Sequence, residues 1–296
     1  VEVVGRCLGG GWLCAFATVG CVAVVLAVGA PSSASVATLR LASVTIALGA
    51  VSSFNMGWAA YASDYTRYVP ESTSAKTVFL LTFLGTFLSS FIMELFGLLT
   101  GAAIKDPSPG AVIDALNQWS GPFAPVALAA VAFSSIAINA ANDNTASYAL
   151  ISAGVRVNRM LSVAVTAGTA YILAVMGEGS FVSLYENYLL LALYWIAPWC
   201  GIVMADWYCR PAHARSMRML TKEGWTSSAS LFVLITILTI ALFSSTPIYV
   251  GPVAQLMDGA DLGYLVGFVL GGLGQILILR QRHGVDTLSE KEQFHA

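Results

Sequence analysis

Long apolar runs, separated by short polar or Pro- and Gly-marked breaks, set the rhythm of this chain. Eight can be read off: Gly11 to Ala30, Leu41 to Ala62, Val78 to Ile104, Phe123 to Ile151, Met160 to Met176, Tyr188 to Ala205, Trp225 to Phe243 and Leu262 to Leu279. A helix rising 1.5 Å per residue needs roughly 20 residues to cross a bilayer, and these runs are of that order. The pattern predicts an all-α polytopic membrane protein of about eight transmembrane helices, with the lipid bilayer as its principal partner.

The second run departs from the pattern. Ser52, Ser53, Asn55 and Gly57 interrupt it just before Trp58. An unsatisfied polar group in lipid costs several kcal/mol, so irregular backbone at that depth must face protein or a water-filled cavity. The spacing predicts a broken helix beside a substrate site, with Asn55, Gly57 and Trp58 as its candidate residues. A helix merely kinked at Gly57 for packing is the competing reading.

The fourth run carries a second polar stripe. Ser135, Asn139 and Asn142 recur at i, i+4 and i+7, which places them on one helix face. An amide offers both donors and an acceptor, so stacked Asn side chains could match the edge of a heterocyclic base. Interhelical packing glue is the plainer alternative, at about 0.6 to 2 kcal/mol per contact. Glu94 lies in the middle of the third run, where a charge is expensive, and is a candidate proton carrier. A Glu paired to a neighbouring helix would look the same. In the sixth run Pro198 is expected to bend or break the helix, and Trp195, Trp199 and Trp207 suit a membrane boundary.

Composition agrees with the pattern: 57% of residues are hydrophobic and 10% charged. That balance excludes an ordinary soluble domain. Placing Val1 on the cytoplasmic side leaves only Arg40 and Lys105 of the 14 basic residues outside. Such a bias in short loops orients membrane proteins, so both termini are expected in the cytoplasm, at the plasma membrane. The start at Val1, without initiator methionine or basic leader, reads as a fragment of a longer product.

The five cysteines, Cys7, Cys14, Cys21, Cys200 and Cys209, show neither a disulfide framework nor zinc-type pairing. The chain has no phosphate-binding Gly loop, His-Glu-x-x-His helix or Ser nucleophile elbow. An enzyme, a cofactor and a nucleic-acid partner are therefore not expected.

The segment from Asn55 to Pro70, with Gly57-Trp58 followed by Asp64-Tyr65-Thr66-Arg67-Tyr68, resembles the signature of the purine/cytosine permease branch of the nucleobase:cation symporters. The Asn-rich stretch from Asn139 to Ser147 and the stretch from Tyr185 to Tyr208, with its Glu-Asn and Pro-Trp pairs, resemble two later motifs of that family in the same order. The resemblance implies twelve helices, arranged as two inverted five-helix repeats and two extra helices. Residues 11–30 would then end the first repeat, 41–205 form the second, 225–279 supply the accessory helices and 280–296 a cytoplasmic tail. It also implies import of cytosine or a purine with a cation by alternating access, with allantoin, hydantoin, uracil or thiamine as alternative cargo. A channel, a non-transporting sensor or an inert truncated product would be readings of a different class.

By the same resemblance Trp58 stacks on the base, while Asn139 and Asn142 read its edge. Stacking of that kind is worth on the order of 1 to 3 kcal/mol. Ala130, Ser134 and Ser135 would form a sodium site, although a register shift of one residue puts Phe133 among them. A proton carried on Glu94 is the alternative.

Overall fold

The computed structural model describes residues 41–66, 68–70, 72–104, 109–154, 158–177, 181–210 and 226–294. The predicted run from Gly11 to Ala30, three of the cysteines, Arg67 and all three histidines lie outside them or have undescribed side chains.

The described residues form helices α1 (Leu41–Thr66), α2 (Ala75–Ala103), α3 (Pro109–Ser120), α4 (Ala124–Ser152), α5 (Arg159–Met176), α6 (Phe181–Cys209), α7 (Ser227–Phe243), α8 (Pro252–Leu256) and α9 (Gly263–Phe294). Seven of the eight predicted runs are thus helical, and the protein is an all-α polytopic membrane protein. Among the described residues four helical stretches can cross a bilayer by length and apolar content: Ala75–Gly97, Gly110–Leu150, Leu184–Cys209 and Gly263–Gln281. Met160–Met176 and Ser227–Phe243 are shorter apolar helices.

Two expectations are corrected. The predicted break in the second run is absent, because α1 runs as one α-helix through Ser52, Ser53, Asn55 and Gly57. Its polar groups are satisfied without unwinding: Ser53 Oγ donates to the Leu189 carbonyl at 2.5 Å, and Asn55 Nδ2 donates to its own helix at the Val51 carbonyl, 3.1 Å away. Nor does Pro198 break its helix, since α6 is continuous from Phe181 to Cys209 with Pro198 inside it. Two glycines of α9 lie against that proline. A Cβ at Gly271 would stand 2.6 Å from the Pro198 carbonyl oxygen, and one at Gly267 would stand 3.2 Å from its Cδ. Gly267 and Gly271 are four apart, so the small-xxx-small face of α9 lets the two backbones approach closely.

The runs missed α3, which is less apolar than its neighbours and connects through a short 3-10 turn, Gly121–Phe123, to α4. Helix α9 also continues beyond Leu279 to Phe294.

The chain divides into two compact units, one drawn from Val1–Phe91 and Glu186–Ala296, the other from Ile92–Tyr185. The core of the first is built from α1, α6 and α9: Met56 and Ala59 bury with Leu193, Ile196, Ala197, Cys200 and Tyr264. A buried polar knot ties the same helices to the end of α7. Tyr194 donates its hydroxyl to the Asp261 carboxylate, which also accepts the Ser245 N–H at 3.1 Å and the Gly263 N–H at 3.0 Å. The Asp261 N–H in turn donates to Thr45 Oγ1 of α1 at 2.9 Å. Tyr194 and Asp261 are both fully buried, and a buried carboxylate is tolerable only with donors of this kind around it. The turn that delivers Asp261 follows α8 and needs a left-handed backbone at Gly259, φ 84°, where glycine carries no Cβ penalty.

In the second unit α3 and α4 pack on one another, and α4 on α5. Asn158 caps α5, its side chain accepting from the Met160 N–H at 3.0 Å.

Candidate functional site

Helix α1 brings Asn55 and Trp58 together at a pocket of about 400 Å³ that it shares with α2. That volume lies within the range of about 300 to 1,000 Å³ typical of small-molecule sites. Phe54 and Trp58 supply aromatic surface on the α1 side, and Trp58 leans on Tyr61 with ring centroids 5.8 Å apart. Among the described residues no side chain lining the pocket is ionisable, so these walls suit an uncharged ligand.

Asn55 is 1% exposed and hydrogen-bonded at both ends of its amide. Its Nδ2 is bound within α1, and its Oδ1 accepts from Ser90 Oγ of α2 at 2.9 Å. Asn55 therefore holds the two pocket helices together in this conformation. Gly57 lies next to the pocket, and a Cβ placed there would meet nothing within 4 Å.

The opposite wall was not singled out from the sequence. Thr82, Gly85, Thr86 and Ser89 of α2 line it, at i, i+3, i+4 and i+7. The same spacing rule that picked Ser135, Asn139 and Asn142 would have found it.

The other sequence-selected residues belong to the second unit. Ala130, Ser134, Ser135, Asn139 and Asn142 all lie on open faces of α4, and Ser135 Oγ donates to the Val131 carbonyl at 3.0 Å. Glu94 is on α2, half-buried, and its Oε2 is buried with no hydrogen-bond partner among the described residues. No group of three or more His, Cys, Asp or Glu able to hold a metal ion occurs among the described residues. Of the cysteines, Cys200 is buried and Cys209 exposed, and neither is in a disulfide.

A second pocket of about 350 Å³ opens between α6, α7 and α9 beside Trp207. Its Asp206 carboxylate is already engaged, by Arg210 Nη2 at 2.6 Å and Gln275 Nε2 at 2.7 Å. The α1/α2 pocket is the stronger candidate, since it joins aromatic surface to uncommitted room and is lined by Trp58 of the Gly-Trp signature.

A neutral, aromatic-walled pocket between helices of a polytopic membrane protein is the architecture of a small-molecule carrier. Residues 9–267 match the family described as permease for cytosine/purines, uracil, thiamine, allantoin, and the chain belongs to that family. It is 28% identical over 255 residues to the "Putative purine-cytosine permease YxlA" of Bacillus subtilis, covering 80% of this chain and 54% of that protein. It is 27% identical over 265 residues to the purine-cytosine permease fcyB of Emericella nidulans, covering 82% and 52%. A shorter match, 25% over 154 residues, covers 47% of this chain and 26% of the vitamin B6 transporter TPN1 of Saccharomyces cerevisiae. The chain spans about half the length of the first two relatives. No solved structure matches it significantly. The family and these relatives are permeases, not enzymes.

Proposed function

We propose that the protein takes part in secondary active import of a nucleobase, cytosine or a purine, coupled to a cation by alternating access. The observation that carries this reading is the α1/α2 pocket: an uncharged, aromatic-walled space that contains Trp58 of the family-like signature. A base is flat, neutral at pH 7 and edged with hydrogen-bonding groups, so an aromatic face and nearby hydroxyls suit it, whereas a charged metabolite would need a counter-charge. The names of the relatives YxlA and fcyB support a base as cargo.

In this reading Trp58 stacks on the base, and Asn139 and Asn142 of α4 read its edge. The cation is a proton carried by Glu94, or a sodium ion held by Ala130, Ser134 and Ser135. Residues 41–205 form the second inverted repeat, 11–30 end the first, and 225–279 are accessory. The membrane is the plasma membrane, with both termini cytoplasmic. A second reading keeps the fold and changes the heterocycle, as the match to a vitamin B6 transporter suggests.

The test is uptake of radiolabelled cytosine and adenine by cells expressing the complete gene product in a host lacking its own base carriers. Accumulation above the external concentration, abolished by collapsing the ion gradients, is expected. Absence of uptake for every base, with the protein at the cell surface, would contradict the reading.

A further inference from the structure

On the α2 side of the pocket, two of the three lining hydroxyls, those of Thr86 and Ser89, have a hydrogen-bonding polarity set by where their protons go. Thr86 Oγ1 donates to the Thr82 carbonyl at 2.6 Å, and Ser89 Oγ donates to the Gly85 carbonyl at 2.8 Å. Across the pocket, Thr66 Oγ1 donates to the Ala62 carbonyl at 2.8 Å. A hydroxyl has one proton and two lone pairs, so each of these groups has spent its donor on its own helix and keeps only acceptor capacity. Turning such a hydroxyl around to donate to a ligand would give up the helix bond. Asn55 has one Nδ2 proton bonded to the Val51 carbonyl and its Oδ1 accepting from Ser90, which leaves one further amide N–H as a donor beside this wall rather than in it. Gly85 sits between Thr82 and Thr86 and opens the wall: a Cβ there would meet nothing within 4 Å.

We propose that Thr86 and Ser89 of α2, with Thr66 of α1, form an acceptor wall that selects heterocycles presenting an amino group or ring N–H at that edge over those presenting a carbonyl oxygen. The proposal rests on the transport reading above and narrows it to aminated bases such as cytosine and adenine. Replacing an exocyclic amino group by an oxo group turns an N–H···O contact into two facing lone pairs. Where the bound base is desolvated against this wall, the unmatched edge also loses its water, which is where hydrogen-bond selectivity is strongest.

The experiment is competition against uptake of radiolabelled cytosine by the complete gene product, comparing cytosine with uracil and adenine with hypoxanthine as unlabelled competitors. Wild type is expected to favour the amino member of each pair. Thr86→Val keeps the shape and removes the acceptor, and Ser89→Ala does the same with less volume. Each should lower the amino-over-oxo ratio by about three- to tenfold, while Thr86→Ser keeps it. Gly85→Leu fills the open space and should weaken all four bases together. A ratio unchanged in both Thr86→Val and Ser89→Ala at normal surface level, or a wild-type preference for the oxo bases, would overturn the wall while leaving base transport standing. A wild type that takes up no base would instead overturn the transport reading and the wall with it.

Discussion

Ser90 Oγ lies 2.9 Å from Asn55 Oδ1, joining α1 and α2 at the buried edge of the candidate pocket. Both residues are almost fully buried, so neither can exchange this bond for water. The pocket therefore depends on a polar pair at its buried edge. Ser90→Ala removes the only hydroxyl in that contact and leaves the amide oxygen unmatched, at a cost of about 1 to 3 kcal/mol. The expected outcome is a lower thermal transition of the detergent-solubilised protein and weaker binding of all bases alike. Asn55→Ala should act in the same direction, with at least as large a loss. Unchanged melting together with altered preference among bases would mean that Asn55 reads the ligand directly.

The knot of Tyr194 and Asp261 predicts a graded effect on stability. Asp261→Ala strands the Gly263 N–H and the Tyr194 O–H in a buried place and leaves the Ser245 N–H only the Tyr194 hydroxyl oxygen, 3.2 Å away. Tyr194→Phe removes one donor and leaves the carboxylate two others. Asp261→Ala should therefore lower the thermal transition by several degrees more than Tyr194→Phe, as read by fluorescence-detected size exclusion after heating. Equal shifts for the two variants would contradict that ordering.

Coupling is tested at Glu94. Its buried, unpartnered Oε2 suits a group that gains and loses a proton as access alternates. Glu94→Gln should abolish accumulation driven by a pH gradient and leave counterflow exchange at equal pH intact. A strict sodium requirement, with Glu94→Gln behaving as wild type and Ser134→Ala or Ser135→Ala inactive, would assign the cation to α4 instead.

Much of the helical layout was legible because apolar run length is a strong signal in lipid: seven of the eight runs are helices in the described residues. What the runs could not carry was how polar groups are satisfied. Asn55 and Ser53 looked like a helix break, yet Ser90 and the Leu189 carbonyl, 35 and 136 residues away along the chain, accommodate them within a continuous helical segment. The knot was hidden for the same reason, since Tyr194 and Asp261 are 67 residues apart and each alone looks ordinary. Of the pocket, Trp58 and Asn55 were visible through their motif. Thr82, Thr86 and Ser89 were passed over because isolated hydroxyls in an apolar helix usually bond back to that helix and carry no message of their own.

The most direct measurement is uptake of radiolabelled cytosine by cells expressing Trp58→Ala or Trp207→Ala in the complete gene product, at matched surface levels. Trp58 lines the α1/α2 pocket, whereas Trp207 lines the separate one beside Asp206. Loss of a stacking partner is worth on the order of 1 to 3 kcal/mol per base, or about 5- to 150-fold in affinity. The account predicts that Trp58→Ala raises the half-saturating cytosine concentration by at least about fivefold while Trp207→Ala stays within twofold of wild type. Equal losses in both variants, or none in Trp58→Ala, would contradict the assignment of the α1/α2 pocket as the place where the base binds.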